Sequence, residues 1–141
     1  MEGRGASRIL SLRVPARADQ LRRVREEVRA AVDGCGCSAQ AAGDIVLAVD
    51  EACQNIIRHA YGDACEGSIA IEIERVGDEL VFSLVDSAPP LDPRSVKPRD
   101  LDDLRPGGLG THLIRTVMDE TDFARHPSGA GNLLRMVKRI T

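Results

Sequence analysis

The sequence predicts a single α+β domain: a two-layer sandwich in which a mixed, mostly antiparallel sheet carries helices on one face. Three observations lead to that reading. Apolar residues alternate at period two in several stretches and recur at helical spacing in others. Two alternating stretches, Ile69-Ile71-Ile73 and Leu80-Phe82-Leu84, flank Gly77-Asp78, which is the pattern of an antiparallel hairpin. The chain has 141 residues and an apolar share of 43%, enough for one proper core. It contains no internal repeat, low-complexity run or linker, so residues 1–141 are read as one domain.

Taken in order, Leu10, Leu12 and Val14 alternate and predict a first strand, which Pro15 ends. Asp19 is placed to cap a helix whose apolar stripe is Leu21, Val24, Val28, Ala31 and Val32. Gly34 and Gly36 break that helix, and Ser38 is a candidate cap for the next. Residues 44–60 form a strongly helical run, with Ile45, Val49, Ala52, Ile56 and Ala60 as its buried stripe, ending near Tyr61-Gly62-Asp63. The hairpin comes next, followed by a charged, proline-bearing loop. A glycine-led helix with Leu113, Ile114, Val117 and Met118 as its stripe then precedes a final strand pair around Pro127-Ser128-Gly129-Ala130-Gly131.

Composition narrows the function classes. Aromatics make up only 2%, with no Trp, and the net charge is −3. Both argue against a nucleic-acid surface. Arg22, Arg23, Arg25 and Arg29 cluster on the first helix beside Glu26 and Glu27. They read as a solvated face or as a surface for an acidic protein partner. No apolar run is long enough to span a bilayer, and no signal peptide is recognisable, so a soluble, cytoplasmic protein without membrane contact is expected. Cys35-Gly36-Cys37 lacks a second close pair, and His59 and His112 are not at zinc-motif spacing. The four cysteines are expected to be reduced packing or loop residues.

Three segments carry candidate chemistry. Glu51 and Asn55 are four residues apart and share a helix face, which Arg58 and His59 continue. The amide oxygen of Asn55 can ligate a hard cation, and the Glu51 carboxylate can accept a proton or orient a hydroxyl. An acid and an amide on a solvated helix face are also a common arrangement. Pro106-Gly107-Gly108-Leu109-Gly110-Thr111 opens a helix, where glycines and unpaired N–H groups favour an anion such as phosphate. It matches neither a P-loop nor a dinucleotide fingerprint. Asp86 ends a strand, where it can accept a hydrogen bond from an amino group or cap a turn.

The order and spacing of these elements resemble the Bergerat-type ATP-binding superfamily, which includes gyrase and the histidine kinases. Within it, the chain is similar to the anti-sigma factor serine/threonine kinases. The text Ala48-Val49-Asp50-Glu51-Ala52-Cys53-Gln54-Asn55-Ile56-Ile57-Arg58-His59-Ala60-Tyr61 is close to that family's first box. Gly107-Gly108-Leu109-Gly110-Thr111-His112-Leu113-Ile114-Arg115, followed by Met118-Asp119-Glu120, is close to its last. The resemblance covers residues 10–140. It implies a Bergerat-type fold, ATP and magnesium as cofactors, Glu51 as catalytic acid/base and Asn55 as magnesium ligand. It also implies that Asp86 holds the adenine amino group and that Gly107, Gly108, Leu109, Gly110 and Thr111 line the phosphates, with residues 87–105 as a short ATP lid. Three positions depart from the family pattern. Ala88 stands two residues after the adenine acid, where glycine is usual. Gly131-Asn132 stands where glycine and threonine often occur. The lid carries a glycine-free, proline-rich run at 89–98.

The resemblance further implies a kinase acting on an anti-anti-sigma antagonist, sequestration of a sigma factor, and a homodimer. Two other functions fit the same residues: a nucleotide-gated or catalytically inactive partner-switch module, and an ATP-binding module working with a separate phosphatase or receiver. A histidine kinase proper is not expected, since no dimerisation helix with a phosphoacceptor histidine is seen before the domain in this sequence.

Overall fold

Alternation in the sequence becomes strand where period two predicts it. The structure, a computed structural model, describes residues 6–60, 67–86, 112–125 and 131–140. Five strands form one sheet: β1 Ser7–Pro15, β2 Ser68–Val76, β3 Glu79–Asp86, β4 Glu120–Arg125 and β5 Asn132–Arg139. Their order is β1-β2-β3-β5-β4. Every pairing among the described residues is antiparallel, so the expected mixed, mostly antiparallel sheet is here antiparallel throughout. The β2–β3 turn is the predicted Gly77-Asp78 pair. Gly77 has φ 62°, a conformation glycine adopts without steric cost.

Directly opposed residues share a sheet face, so the register defines rows across the sheet. One row runs through Leu10, Ile73, Phe82 and Met136, and the next through Leu12, Ile71, Leu84 and Leu134. The third begins as Val14 and Ile69 and turns polar at Asp86 and Asn132. The apolar members of the β2 and β3 rows are fully buried.

Among the described residues, three α-helices cover that face: α1 Leu21–Asp33, α2 Ala39–Asn55 and α3 His112–Val117. α1 packs on β1 and α2, while α3 packs on α2 and β4. Val24, Val28 and Val32 of α1, Ile45, Val49 and Ala52 of α2, and Ile114 and Val117 of α3 join the sheet rows in one aliphatic core. Ser38 caps α2 as predicted, its Oγ accepting a hydrogen bond from the Ala41 N–H at 3.0 Å. Asp19 does not cap α1. It lies in a 3₁₀ turn, Ala18–Gln20, and its carboxylate accepts instead from Arg17 Nε at 3.2 Å. The α1–α2 connection is tied to the hairpin by Arg75, which donates to the Cys35 carbonyl at 3.3 Å and the Gly77 carbonyl at 3.1 Å. Asp119 anchors the start of β4 to β5, its Oδ2 accepting from the Arg139 N–H at 2.7 Å.

The predicted helix over 44–60 changes character at its end. α-Helical bonding stops at Asn55, and a five-residue π-helical turn, Ile56–Ala60, carries the chain on. Ile56 and Ile57 are consecutive β-branched residues, which crowd a tight α-turn. The predicted helix end at 61–63 lies outside the described residues. No described helix is long and apolar enough to cross a membrane.

Gly43 lies in the second turn of α2 without a conformational reason. Its φ is not positive, and a Cβ added there meets no described atom within 4 Å. A glycine inside a helix costs about 1 kcal/mol relative to alanine. Gly43→Ala should therefore raise unfolding stability by about 0.5–1 kcal/mol in urea titrations. Phe82→Ala, which hollows out the centre of the sheet, should lower it by about 3–5 kcal/mol.

Candidate functional site

Asp50, Asn55, Asp86 and Asn132 are the buried polar or charged residues of the described chain. Buried polar groups need partners, and the four fall into two sets that differ in how this need is met.

The first set lies on α2. Asn55 is the helix's last residue, 7% exposed, and its Oδ1 has no hydrogen-bond partner among the described residues. Left so, such an oxygen costs about 1–3 kcal/mol, which a ligand at that point would relieve. A carboxamide oxygen is a hard donor that suits magnesium, so the residue fits the cation that the sequence resemblance implies. Glu51 is half-buried one turn earlier and shares the face. The π-helical turn begins at the residue after Asn55, a widening of the helix often found at functional sites.

Beside Glu51 lies an arrangement that the sequence reading passed over. Arg25 Nη1 of α1 donates to Asp50 Oδ1 at 3.0 Å, and Gln54 Nε2 donates to Asp50 Oδ2 at 2.7 Å. One carboxylate thus joins α1 to two successive turns of α2, around the position where Glu51 stands. The signal was present as a polar pair at i and i+4, but its partner on α1 is 25 residues away. The Asp50 charge also reaches Cys53: burial first, and that carboxylate second, push the thiol up to about 12. A raised thiol value stabilises the fold fully below the ordinary thiol range. That contribution declines as pH climbs from there toward about 12. Cys53, like Cys35 and Cys37, is a free thiol, as expected, and Cys65 lies outside the described residues.

The second set lies at the polar end of the third sheet row. Asn132 Nδ2 donates to Asp86 Oδ1 at 2.9 Å, both residues being nearly inaccessible. Asn132 therefore takes up a direct role in holding the Asp86 carboxylate, at the position where the resemblance leads one to expect a threonine. Gly131, just before it, has φ 91°, which requires glycine or strain. Gly107, Gly108, Leu109, Gly110 and Thr111 lie outside the described residues, as do Ala88 and residues 87–105. Among the described residues no cluster of three or more His, Cys, Asp or Glu side chains is arranged for a metal. A cation here would rest on the Asn55 amide and on groups brought with it.

Comparison with known proteins identifies the family of this fold. Residues 14–138 match the histidine kinase-like ATPase domain. The chain is similar to the serine-protein kinase RsbW of Staphylococcus aureus, 27% identical over 139 residues, covering 92% of this chain and 87% of that protein. It is 29% identical over 126 residues to RsbW of Bacillus subtilis, covering 83% and 78%. To RsbW of Bacillus cereus it is 30% identical over 119 residues, covering 79% and 74%. Among solved structures, the SiaB–SiaC complex from Pseudomonas aeruginosa matches with a TM-score of 0.62 at 20% identity, covering 92% of this chain and 90% of that one. A structure of the RsbU and RsbW domains of a Mycobacterium tuberculosis protein matches with a TM-score of 0.67 at 19% identity, covering 93% of this chain and 31% of that one. At these identities the two structures establish the fold. The resemblance to anti-sigma serine/threonine kinases read from the sequence is borne out.

The buried pair can be tested directly. Asn132→Ala removes a donor from a buried carboxylate and should destabilise the protein by about 1–3 kcal/mol. Asn132→Asp, which sets two carboxylates against each other, should cost more. Arg25→Gln should cost only about 1 kcal/mol, because the Arg25 side chain is 41% exposed and solvent screens the pair. Chemical denaturation of the three variants ranks them.

Proposed function

We propose that this chain, which belongs to the histidine kinase-like ATPase domain family, is an ATP- and magnesium-dependent serine/threonine protein kinase. Its acceptor is a hydroxyl on a small anti-anti-sigma protein of the STAS type, and the chain also sequesters a sigma factor, as a homodimer in the cytoplasm. The observation that carries the reading is the buried Asn55 Oδ1, without a partner among the described residues, one helical turn from the half-buried Glu51. The curated relatives, named as serine-protein kinases, support the kinase activity.

In this reading Asn55 Oδ1 would hold magnesium, which when bound would supply positive charge beside the transferred phosphoryl group. Asp86, steadied by Asn132, accepts a hydrogen bond from the adenine amino group. By the resemblance, Gly107, Gly108, Leu109, Gly110 and Thr111 would take the phosphates. Glu51 accepts the proton of the acceptor hydroxyl as its oxygen forms a bond to the γ-phosphorus. The bond from that phosphorus to the bridging oxygen breaks, and ADP leaves with the electron pair. Positioning and charge carry most of the acceleration in such a transfer. The alternative is a partner switch of the same fold without catalysis, which Ala88 and the proline-rich run at 89–98 favour.

Calorimetry should show nucleotide binding that depends on magnesium, and Asn55→Ala should abolish that dependence. Glu51→Gln should keep nucleotide affinity within several-fold while slowing phosphoryl transfer by about 10²-fold or more, the size of a general-base effect. Transfer at the parental rate in Glu51→Gln would remove Glu51 from the chemistry. Binding without transfer in the parent chain would select the partner switch.

A further inference from the structure

Helix α2 buries its apolar stripe but leaves one large aliphatic side chain in solvent. Leu47 is 52% exposed, whereas Ile45, Val49 and Ile56 of the same stretch are buried. Leu47 lies one turn before Glu51 on the same face. One further turn back is Gly43, for which the fold of this chain supplies no conformational or steric reason. Leu47 and the bare helix backbone at Gly43 thus lie on the Glu51 face, with Gln40 and Asp44 at their rim.

We infer that this face of α2, centred on Leu47 and Gly43, is the surface on which the acceptor protein docks. The inference rests on the kinase reading above and deepens it. A proton-accepting carboxylate must come within about 3 Å of the hydroxyl it serves. A serine or threonine carried on a folded protein brings its own surface with it. Successive turns of a helix are about 5.4 Å apart, so that surface also covers the turn beside Glu51. On the C-terminal side of Glu51 stands Asn55, the proposed cation ligand, which leaves the N-terminal side to the protein. Gly43 lets the acceptor's backbone come close, and Leu47 enters an apolar depression on it. A free nucleotide or water would need neither feature. Phe123, 46% exposed on β4, is the other exposed large apolar residue of the described chain, and it lies on a strand at the sheet edge rather than beside Glu51.

The test uses the STAS-domain proteins of the source genome as probes, with γ-labelled ATP for transfer and calorimetry for binding. For the probe that the parent chain labels, Leu47→Asp and Gly43→Leu should raise KM by about tenfold or more, as loss of an interface anchor does. Both should leave kcat at saturation and ATP affinity within about twofold, the signature of lost acceptor binding alone. Leu47→Met should restore the parental KM. An unchanged KM in Leu47→Asp, with transfer intact, overturns the docking surface and leaves the kinase standing. A probe bound but not labelled overturns the kinase reading, and Leu47→Asp must then weaken that binding for the surface to survive. A change in oligomeric state of Leu47→Asp without a change in acceptor binding assigns the face to a second copy and overturns the inference. Parent chain that neither binds nor labels any probe overturns both.

Discussion

Helix α2 has to satisfy two neighbours at once. One side must bury Ile45, Val49 and Ala52 in the common core, because an aliphatic core with almost no aromatic residues has few other means of reaching native density. The other side must present Glu51 to solvent and hold Asn55 at the margin of that core. Helical geometry allows both only if the rotation of α2 about its axis is fixed. The apolar stripe sets that rotation coarsely. The bond from Arg25 to Asp50 sets it against α1 as well, and Gln54 holds the same carboxylate in place. An error in that rotation would move Asn55 into apolar surroundings and Asp50 away from its cation, and both displacements are costly.

The sheet shows the same economy. Two of its cross-strand rows are apolar from β1 to β5, and the third begins so and then turns polar at Asp86 and Asn132. The candidate site thus lies where the core gives out. Nothing separate is built for it: the strands that bury Ile71 and Leu84 deliver Asp86 one pleat further along. Burial in such a place makes a carboxylate both costly and well defined in direction, provided it has a donor, and Asn132 is that donor.

Most of this was legible in the sequence, for local reasons. Period-two alternation, the Gly77-Asp78 turn and the Ser38 cap are decided within a few residues, and the structure follows them. Glu51, Asn55 and Asp86 stood out because their spacing and positions in the elements matched a known order. What escaped was long-range or competitive. Arg25 read as one member of an arginine cluster and Asp50 drew no reading of its own, until packing of α1 on α2 brings them together. Asn132 read as a substitute near the base, whereas its nearest duty is to Asp86. Asp19 has the chemistry of a cap, but Arg17 claims its carboxylate and a 3₁₀ turn starts the helix instead. The switch from α to π at Ile56 depends on crowding that hydrophobic periodicity does not register.

The strand order has a consequence for how the chain is made. β5, the last strand in sequence, lies between β3 and β4 and not at an edge. During synthesis the hairpin of β2 and β3 can form early from local contacts, but one side of β3 has no neighbour until residues 132–139 emerge. Until then Phe82 and Leu84 lack their partners Met136 and Leu134, and a nascent domain displays an unpaired, apolar strand. Closure of the sheet, completion of the Asp86–Asn132 pair and shielding of that edge must therefore coincide. A ribosome that stalls just short of Asn132 would hold a chain with most of its core residues and no finished site, open to pairing with strands other than its own.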